Sequence, residues 1–287
     1  MVNTAKTCDK DVKIKSVGDA KIDCDTVKGD VIFENSGDLS GAIDISGPDT
    51  IEGDLIIKNA SSIQALSSSS IEKIGGKFQL QSMESLNSIN FGSLEEVGEI
   101  EWITLTALES VKFGTDGVTT VESVRISDTV LSSLDGLNMA SVGTFSIDNN
   151  AFLTNWETRL TNITKKLSVA DNSDELEVSF PRLTDARDID VRGVKSLSVP
   201  LLKELTGSFL LTENDGLETF IAPNLTKTGE SVSLRNNDKL SNVSFPVLER
   251  TGGSLTVQNN QELVEIDGFP ELERVDGSVT MRGNFTE

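Results

Sequence analysis

The sequence contains no histidine and no tyrosine, and only two cysteines and six prolines among 287 residues. The missing histidine removes the Ser-His-Asp and Cys-His nucleophilic triads and every metal site that uses an imidazole. There is no GxxxxGK[ST] loop, and no GxGxxG stands between a strand and a helix, so no phosphate cradle is expected and no cofactor. No apolar run approaches the roughly 20 residues that a membrane-spanning helix needs. The polar opening Met1-Val-Asn-Thr-Ala-Lys has no apolar h-region. It predicts either a cytosolic chain or one whose targeting segments have been removed. Positive charge is scarce too: 25 Lys and Arg stand against 46 Asp and Glu, a formal charge of −21. Coulomb repulsion then opposes nucleic acid and anionic membrane surfaces as partners.

What is present is a repeat. GGSLTVQNNQEL (252–263) recurs upstream as GESVSLRNNDKL (229–240) and GSFLLTENDGL (207–217). A short apolar pair cannot bury its own inward face, so such copies must stack. The first apolar residues of the pairs are Val31, Leu55, Phe78, Ile100, Val124, Phe145, Leu167, Ile189, Phe209, Val232, Leu255 and Val279. Their mean spacing is about 22.5 residues, inside the roughly 20–29 of leucine-rich-type turns. Each of these anchors has an apolar partner two residues on, the period of a strand with one face inward.

Three further signals share the phase. Glycine stands two residues before the anchor in eight turns, where the chain bends into the strand. Asparagine stands five residues after it at Asn150, Asn172, Asn214, Asn237 and Asn260, and again at Asn284. Asparagine bonds turn backbone and tolerates left-handed conformations, so these residues predict a structural, inward ladder. Five of the six prolines lie in apolar-Pro-x-Leu segments (180–183, 199–202, 222–225, 245–248 and 269–272), which suit the return side of each turn. No segment keeps a 3.6-residue period. The expected fold is all-β: a right-handed parallel β-solenoid of about twelve turns with little or no helix. Residues 1–29 read as an N-terminal cap and 30–287 as repeats. Residues 279–287 begin a turn without its second half, which predicts truncation before a C-terminal cap.

Cys8 and Cys24 both lie in that cap. Oxidised, they would close a loop of about 15 residues, worth about 3 kcal/mol. Two buried thiols are the other reading, and a metal site with two Cys and no His is disfavoured. Five Asn-x-Ser/Thr sequons, at Asn59, Asn162, Asn224, Asn242 and Asn284, point with the cysteine pair to an oxidising, secretory origin. Asn284 occupies a ladder phase and should face inward, which ranks it last as a glycan acceptor; Asn224, at the variable position of APNL, should face out.

Parallel β-solenoids include polysaccharide-cleaving enzymes, so clustered carboxylates are the catalytic candidates. They are Asp185, Asp188 and Asp190; Asp171, Asp174 and Glu175; and Glu95, Glu96, Glu99 and Glu101. Carboxylates about 5–9.5 Å apart serve glycosidases, but an acidic chain produces clusters freely, and Arg187 and Arg192 offer the first group ordinary ion pairs. Solvated charge is the favoured reading. For stacking on sugars, Trp102 falls at an inward position, while Trp156 lies in the loop NNAFLTNWETRL, where an exposed ring is one reading. The outward positions form a mixed polar surface with apolar spots at Ile32, Ile56 and Leu210.

The segments ISDTVLSSLDGLNMASVGTFSIDNNAFLTN (126–155), NNQELVEIDGFPELERVDGSV (259–279) and CDTVKGDVIFENSG (24–37) resemble the fungal GPI-anchored cell-wall organisation proteins. The resemblance covers 8–287. It implies a receptor L-domain-like, leucine-rich solenoid, secreted and held at the plasma membrane or wall by a C-terminal lipid anchor. It also implies a non-enzymatic part in wall integrity and N-glycosylation at some of the sequons. The partners implied are wall polysaccharides or wall and surface proteins, with the membrane reached only through an anchor in the parent protein. A receptor-type ectodomain and a polysaccharide-active enzyme are the alternatives.

Overall fold

The structure, a computed structural model, describes residues 5–34 and 38–286. Positions 1–4 of the polar opening, 35–37 of the family-like segment and 287 lie outside the described residues. The chain divides into two compact units, Met1–Met139 and Ala140–Glu287. Among the described residues the paired strands run parallel, stacked as the turns of a β-solenoid, about twelve in number. Among the described residues the one helical element is a 3-10 turn at Val17–Ala20, and no helix is long and apolar enough to cross a membrane.

In the first unit the anchors lie in register, one turn to the next: Val12 pairs with Val31, then Leu55, Phe78, Ile100 and Val124. Period-two alternation sends these residues and their i+2 partners inward, where Leu55, Ile57, Phe78 and Leu80 are fully buried. A second parallel sheet of Gly41–Asp44, Ile63–Ser68, Ser88–Phe91 and Ser110–Phe113 forms the return side. The segment expected to cover the end of the stack takes part in it, because Thr7–Cys8 pairs with Thr26–Val27 and Val12–Ile14 with Val31–Phe33. Cys8 and Cys24 are joined there as a disulfide, with Cα atoms 5.8 Å apart.

In the second unit Phe145, Leu167, Ile189, Phe209, Val232, Leu255 and Val279 are successive register partners. Its return strands are Asn155–Glu157, Glu177–Ser179 and Ser196–Ser198, then Thr219–Ile221 with Asn242–Ser244. All but the first of these are followed by an apolar-Pro-x-Leu segment that closes a tight turn. Leu183 N–H donates to the Phe180 carbonyl, and Leu202, Leu225 and Leu248 repeat the bond to Val199, Ala222 and Phe245. The fixed φ of proline at the second position of such a turn favours it.

Between the sheets run aromatic columns. Phe78 packs on Phe91 and Trp102 with ring centroids 4.9 and 5.7 Å away. In the second unit Trp156 lies between Phe145 and Phe180 at 4.7 and 5.2 Å. Trp156 is therefore not an exposed ring: it is 4% exposed, on the inward side of the strand Asn155–Glu157. The surrounding loop is polar in sequence, but the tryptophan occupies the one inward position of a three-residue strand.

Candidate functional site

Every turn offers its neighbour a row of backbone groups, and side chains at fixed phases complete those rows. Four residues after the anchor the chain turns through the left-handed region. It does so at Asn59, Ser82, Thr104 and Asp128 in the first unit, and at Asn149, Asp171, Gly193, Glu213, Asn236 and Asn259 in the second. The sequence pattern assigned that backbone tolerance to the asparagines five residues after the anchor. The left-handed residue instead comes one earlier, which frees the next side chain to point inward. In the second unit these are ladder rungs. Asn237 Oδ1 accepts from the backbone N–H and the Nδ2 of Asn214, at 3.0 and 2.9 Å, while its own Nδ2 donates to the Leu211 carbonyl at 3.0 Å. Asn260 serves Asn237, and Asn172 serves Asn150, in the same way. Val194 interrupts the run, and its N–H is accepted by Asn214 Oδ1 at 3.0 Å. Asn284 is not an inward rung: it is exposed, and its Nδ2 donates to the Gln261 carbonyl at 3.0 Å.

A second ladder, which the sequence reading missed, runs through the residue before the anchor. Asp11 Oδ1 accepts the Asp30 N–H, Asp30 that of Asp54, and Asp54 that of Lys77, at 3.0, 2.8 and 2.7 Å. In the second unit Asp188 accepts the Ser208 N–H, and Ser231 and Ser254 accept from the turns that follow them. The signal was the Gly-Asp and Gly-Ser dipeptides at the bends. These side chains explain the glycines too: a Cβ on Gly253 would lie 2.6 Å from Ser231 Oγ and 2.8 Å from the Ser231 backbone nitrogen.

Much of the carboxylate in these clusters is engaged within the stack. Asp188 Oδ1 belongs to the ladder; Asp190, 9% exposed, meets Lys166 and Arg192 at 3.1 and 3.3 Å; Asp185 accepts from the Thr184 hydroxyl. Glu96 pairs with Lys73, and Glu99 and Glu101 with Lys77. Its hydrogen bond to Glu99 raises the pKa of Lys77, and the one that Lys195 donates lowers the pKa of Glu175. Asp174 and Glu175 line a groove of about 310 Å³ with Gly193, Glu213, Asp215 and Lys239, at the short turn between Ile189 and Phe209. Among the described residues no group of three or more acidic or cysteine side chains is arranged to hold a metal.

On the outward sheet face, Ile32 and Ile56 are adjacent register partners, each half-buried. Thr256, at the outward position between Leu255 and Val257, is 6% exposed because Ser233 and Thr280 flank it in register on the neighbouring turns. Of the sequon asparagines, Asn59, Asn224, Asn242 and Asn284 are exposed and Asn162 is half-buried.

No known family profile matches the chain, and no solved structure does. Among curated proteins it is 36% identical over 228 residues to Protein ecm33 of Aspergillus fumigatus, covering 78% of this chain and 56% of that protein. It is 34% identical over 225 residues to a cell surface GPI-anchored protein of Arthroderma benhamiae, covering 77% and 57%. The chain belongs to the family of fungal GPI-anchored cell-wall proteins. Cell wall mannoprotein PST1 of Saccharomyces cerevisiae, another relative, is 32% identical over 192 residues, which cover 67% of this chain and 42% of that protein. The chain spans about half the length of these relatives. Membership places it outside the cell, at the wall or the outer face of the plasma membrane, with a role in the cell wall.

Proposed function

We propose that the chain is a non-enzymatic scaffold of the fungal wall, which holds wall polysaccharides or wall and surface proteins on the faces of its solenoid. The observation that carries this reading is the state of the carboxylates. The residues a glycosidase would draw on are already committed: Asp188 to a backbone amide, Asp190 to Lys166 and Arg192, and Glu99 and Glu101 to Lys77. A general acid needs an open approach to the glycosidic oxygen, and these partners already occupy the carboxylate oxygens. What varies between turns is the outward side chains, so recognition falls to the surface and not to the shared ladder. Within this reading the disulfide-tied first turn serves as the cap that shields the apolar edge of the stack.

The test is genetic. Deleting the gene for the parent protein is expected to sensitise the fungus to wall-perturbing dyes. A copy carrying Asp185→Asn, Asp188→Asn and Asp190→Asn should restore full resistance. A folded, secreted triple variant that fails to restore it would overturn the non-enzymatic reading.

A further inference from the structure

Seven large apolar side chains are exposed among the described residues, and three of them surround one sequon. Asn224 sits at the apex of the Ala222-Pro223-Asn224-Leu225 turn, closed by the Leu225 N–H to the Ala222 carbonyl. The equivalent position is Leu201 on the turn before and Val247 on the turn after, 45% and 37% exposed; Ile221, 44% exposed, precedes the turn on the same coil. The corners are stacked in register, since Ala222 N–H donates to the Ser244 carbonyl and Thr226 N–H to that of Lys203, at 2.9 Å each. The Asn224 side chain is fixed across the stack as well: Nδ2 donates to the Pro200 carbonyl at 2.6 Å, next to Leu201.

An amide Nδ2 carries two hydrogens. One is engaged with Pro200, so the other sets the only direction in which a substituent can leave. We propose that Asn224 carries an N-linked glycan whose first N-acetylglucosamine lies over Leu201, Ile221 and Val247, so that the sugar is the cover of this apolar patch. The transfer is the ordinary secretory one. The Nδ2–C1 bond forms as the C1–oxygen bond to a polyisoprenyl-diphosphate-linked oligosaccharide breaks; the second Nδ2 proton is lost and the lipid diphosphate departs. The remaining N–H keeps its bond to Pro200, and the C–H faces and acetyl methyl of the sugar meet the three side chains. Exposed apolar groups packed side by side normally mark a contact surface, and a glycan solubilises the surface that it covers. Glycosylation at the other sequons is not required by this argument, since none of them lies between exposed apolar residues on both neighbouring turns.

The test uses the chain secreted from a fungal host. Glycopeptide mass spectrometry should find hexosamine on Asn224. Thr226→Ala should abolish it and raise hydrophobic-dye fluorescence several-fold, with concentration-dependent self-association. Thr226→Ser, which keeps the sequon, should leave both readouts unchanged. Because the Thr226 hydroxyl also donates to the Lys203 carbonyl, amidase release of the glycan from folded wild-type protein provides a route without substitution, and it should give the same rise. Leu201→Ser with Val247→Ser in the Thr226→Ala background should return dye binding to the wild-type level. An unmodified Asn224 would overturn the proposal, as would glycan release without any gain in dye binding.

Discussion

In the first unit the residues five places after the anchors include Ala60, Met83, Leu105 and Thr129; in the second they include Asn150, Asn172, Val194, Asn214, Asn237 and Asn260. The same corner is built twice with different chemistry. Met83 donates its backbone N–H to the Thr104 carbonyl of the next turn at 3.2 Å, and its side chain is free to be apolar core. Asn214 and Asn237 donate theirs to the amide oxygen of the next rung at 3.0 Å. Buried amides must find an acceptor; the fold accepts either a backbone or a side-chain solution, provided that adjacent turns agree. The asparagine ladder is thus a local convention of the second unit and no requirement of the solenoid.

The aromatic columns set the scale for this comparison, because both units share them. Trp102→Ala and Trp156→Ala should each cost about 3–5 kcal/mol, as large-to-small changes in packed cores do, read from the urea transition. A much smaller loss at Trp156 would mean that its ring is not core. The corner itself comes next. Asn237→Leu leaves the Asn214 N–H, the Asn214 Nδ2 and the Leu211 carbonyl each without one partner. At about 1–3 kcal/mol for an unsatisfied buried group, the loss should be about 3 kcal/mol or more. Met83→Leu, at the same phase of the other unit, should cost under about 1.5 kcal/mol. Equal losses would erase the distinction between the two corners.

Smaller again is the bend. Gly253→Ala meets Ser231 and should cost about 1–3 kcal/mol as an overpacking change. Gly216→Ala, whose nearest neighbour would be Lys195 Cα at 3.4 Å, should be close to neutral. The smallest effect is electrostatic. Hydrogen bonds from Arg250 and Arg274 hold the Asp276 carboxyl below the ordinary aspartate range. A depressed folded-state pKa adds stability that is present above the unfolded value, about 3.9, and lost as pH falls through the folded one. Thermal midpoints of Asp276→Asn between pH 6 and 2 should therefore fall slightly less steeply on acidification than those of the parent. A steeper fall would contradict the assignment.

Much of the stack was legible because its signals repeat. Leu55/Ile57 or Val232/Leu234 alone would be ambiguous, but twelve apolar pairs in phase leave one architecture, and five asparagines in phase leave one role. The sequence was less informative where a position is filled differently from turn to turn. The residue before the anchor is Asp in some turns and Ser in others, so its common task as an amide acceptor had no single-letter signature. Trp156 was misleading for a related reason: its strand is three residues long, too short to show alternation, and polar neighbours hide an inward ring. Asn284 had the right phase, but its Nδ2 donates to the Gln261 carbonyl, whereas Asn237 and Asn260 reach the carbonyls of Leu211 and Leu234. The carboxylates carried least in the sequence, because ion pairing depends on which turns lie adjacent, as with Lys166 and Asp190, 24 positions apart.

The central claim, that this wall protein holds rather than cuts, is tested most directly by incubating the secreted, glycosylated chain with isolated fungal walls. Co-sedimentation and release of reducing ends would be measured in the same tubes. Saturable co-sedimentation with no release above the wall-only control is the predicted result. Release of reducing ends that disappears with Asp185→Asn, Asp188→Asn and Asp190→Asn would contradict it.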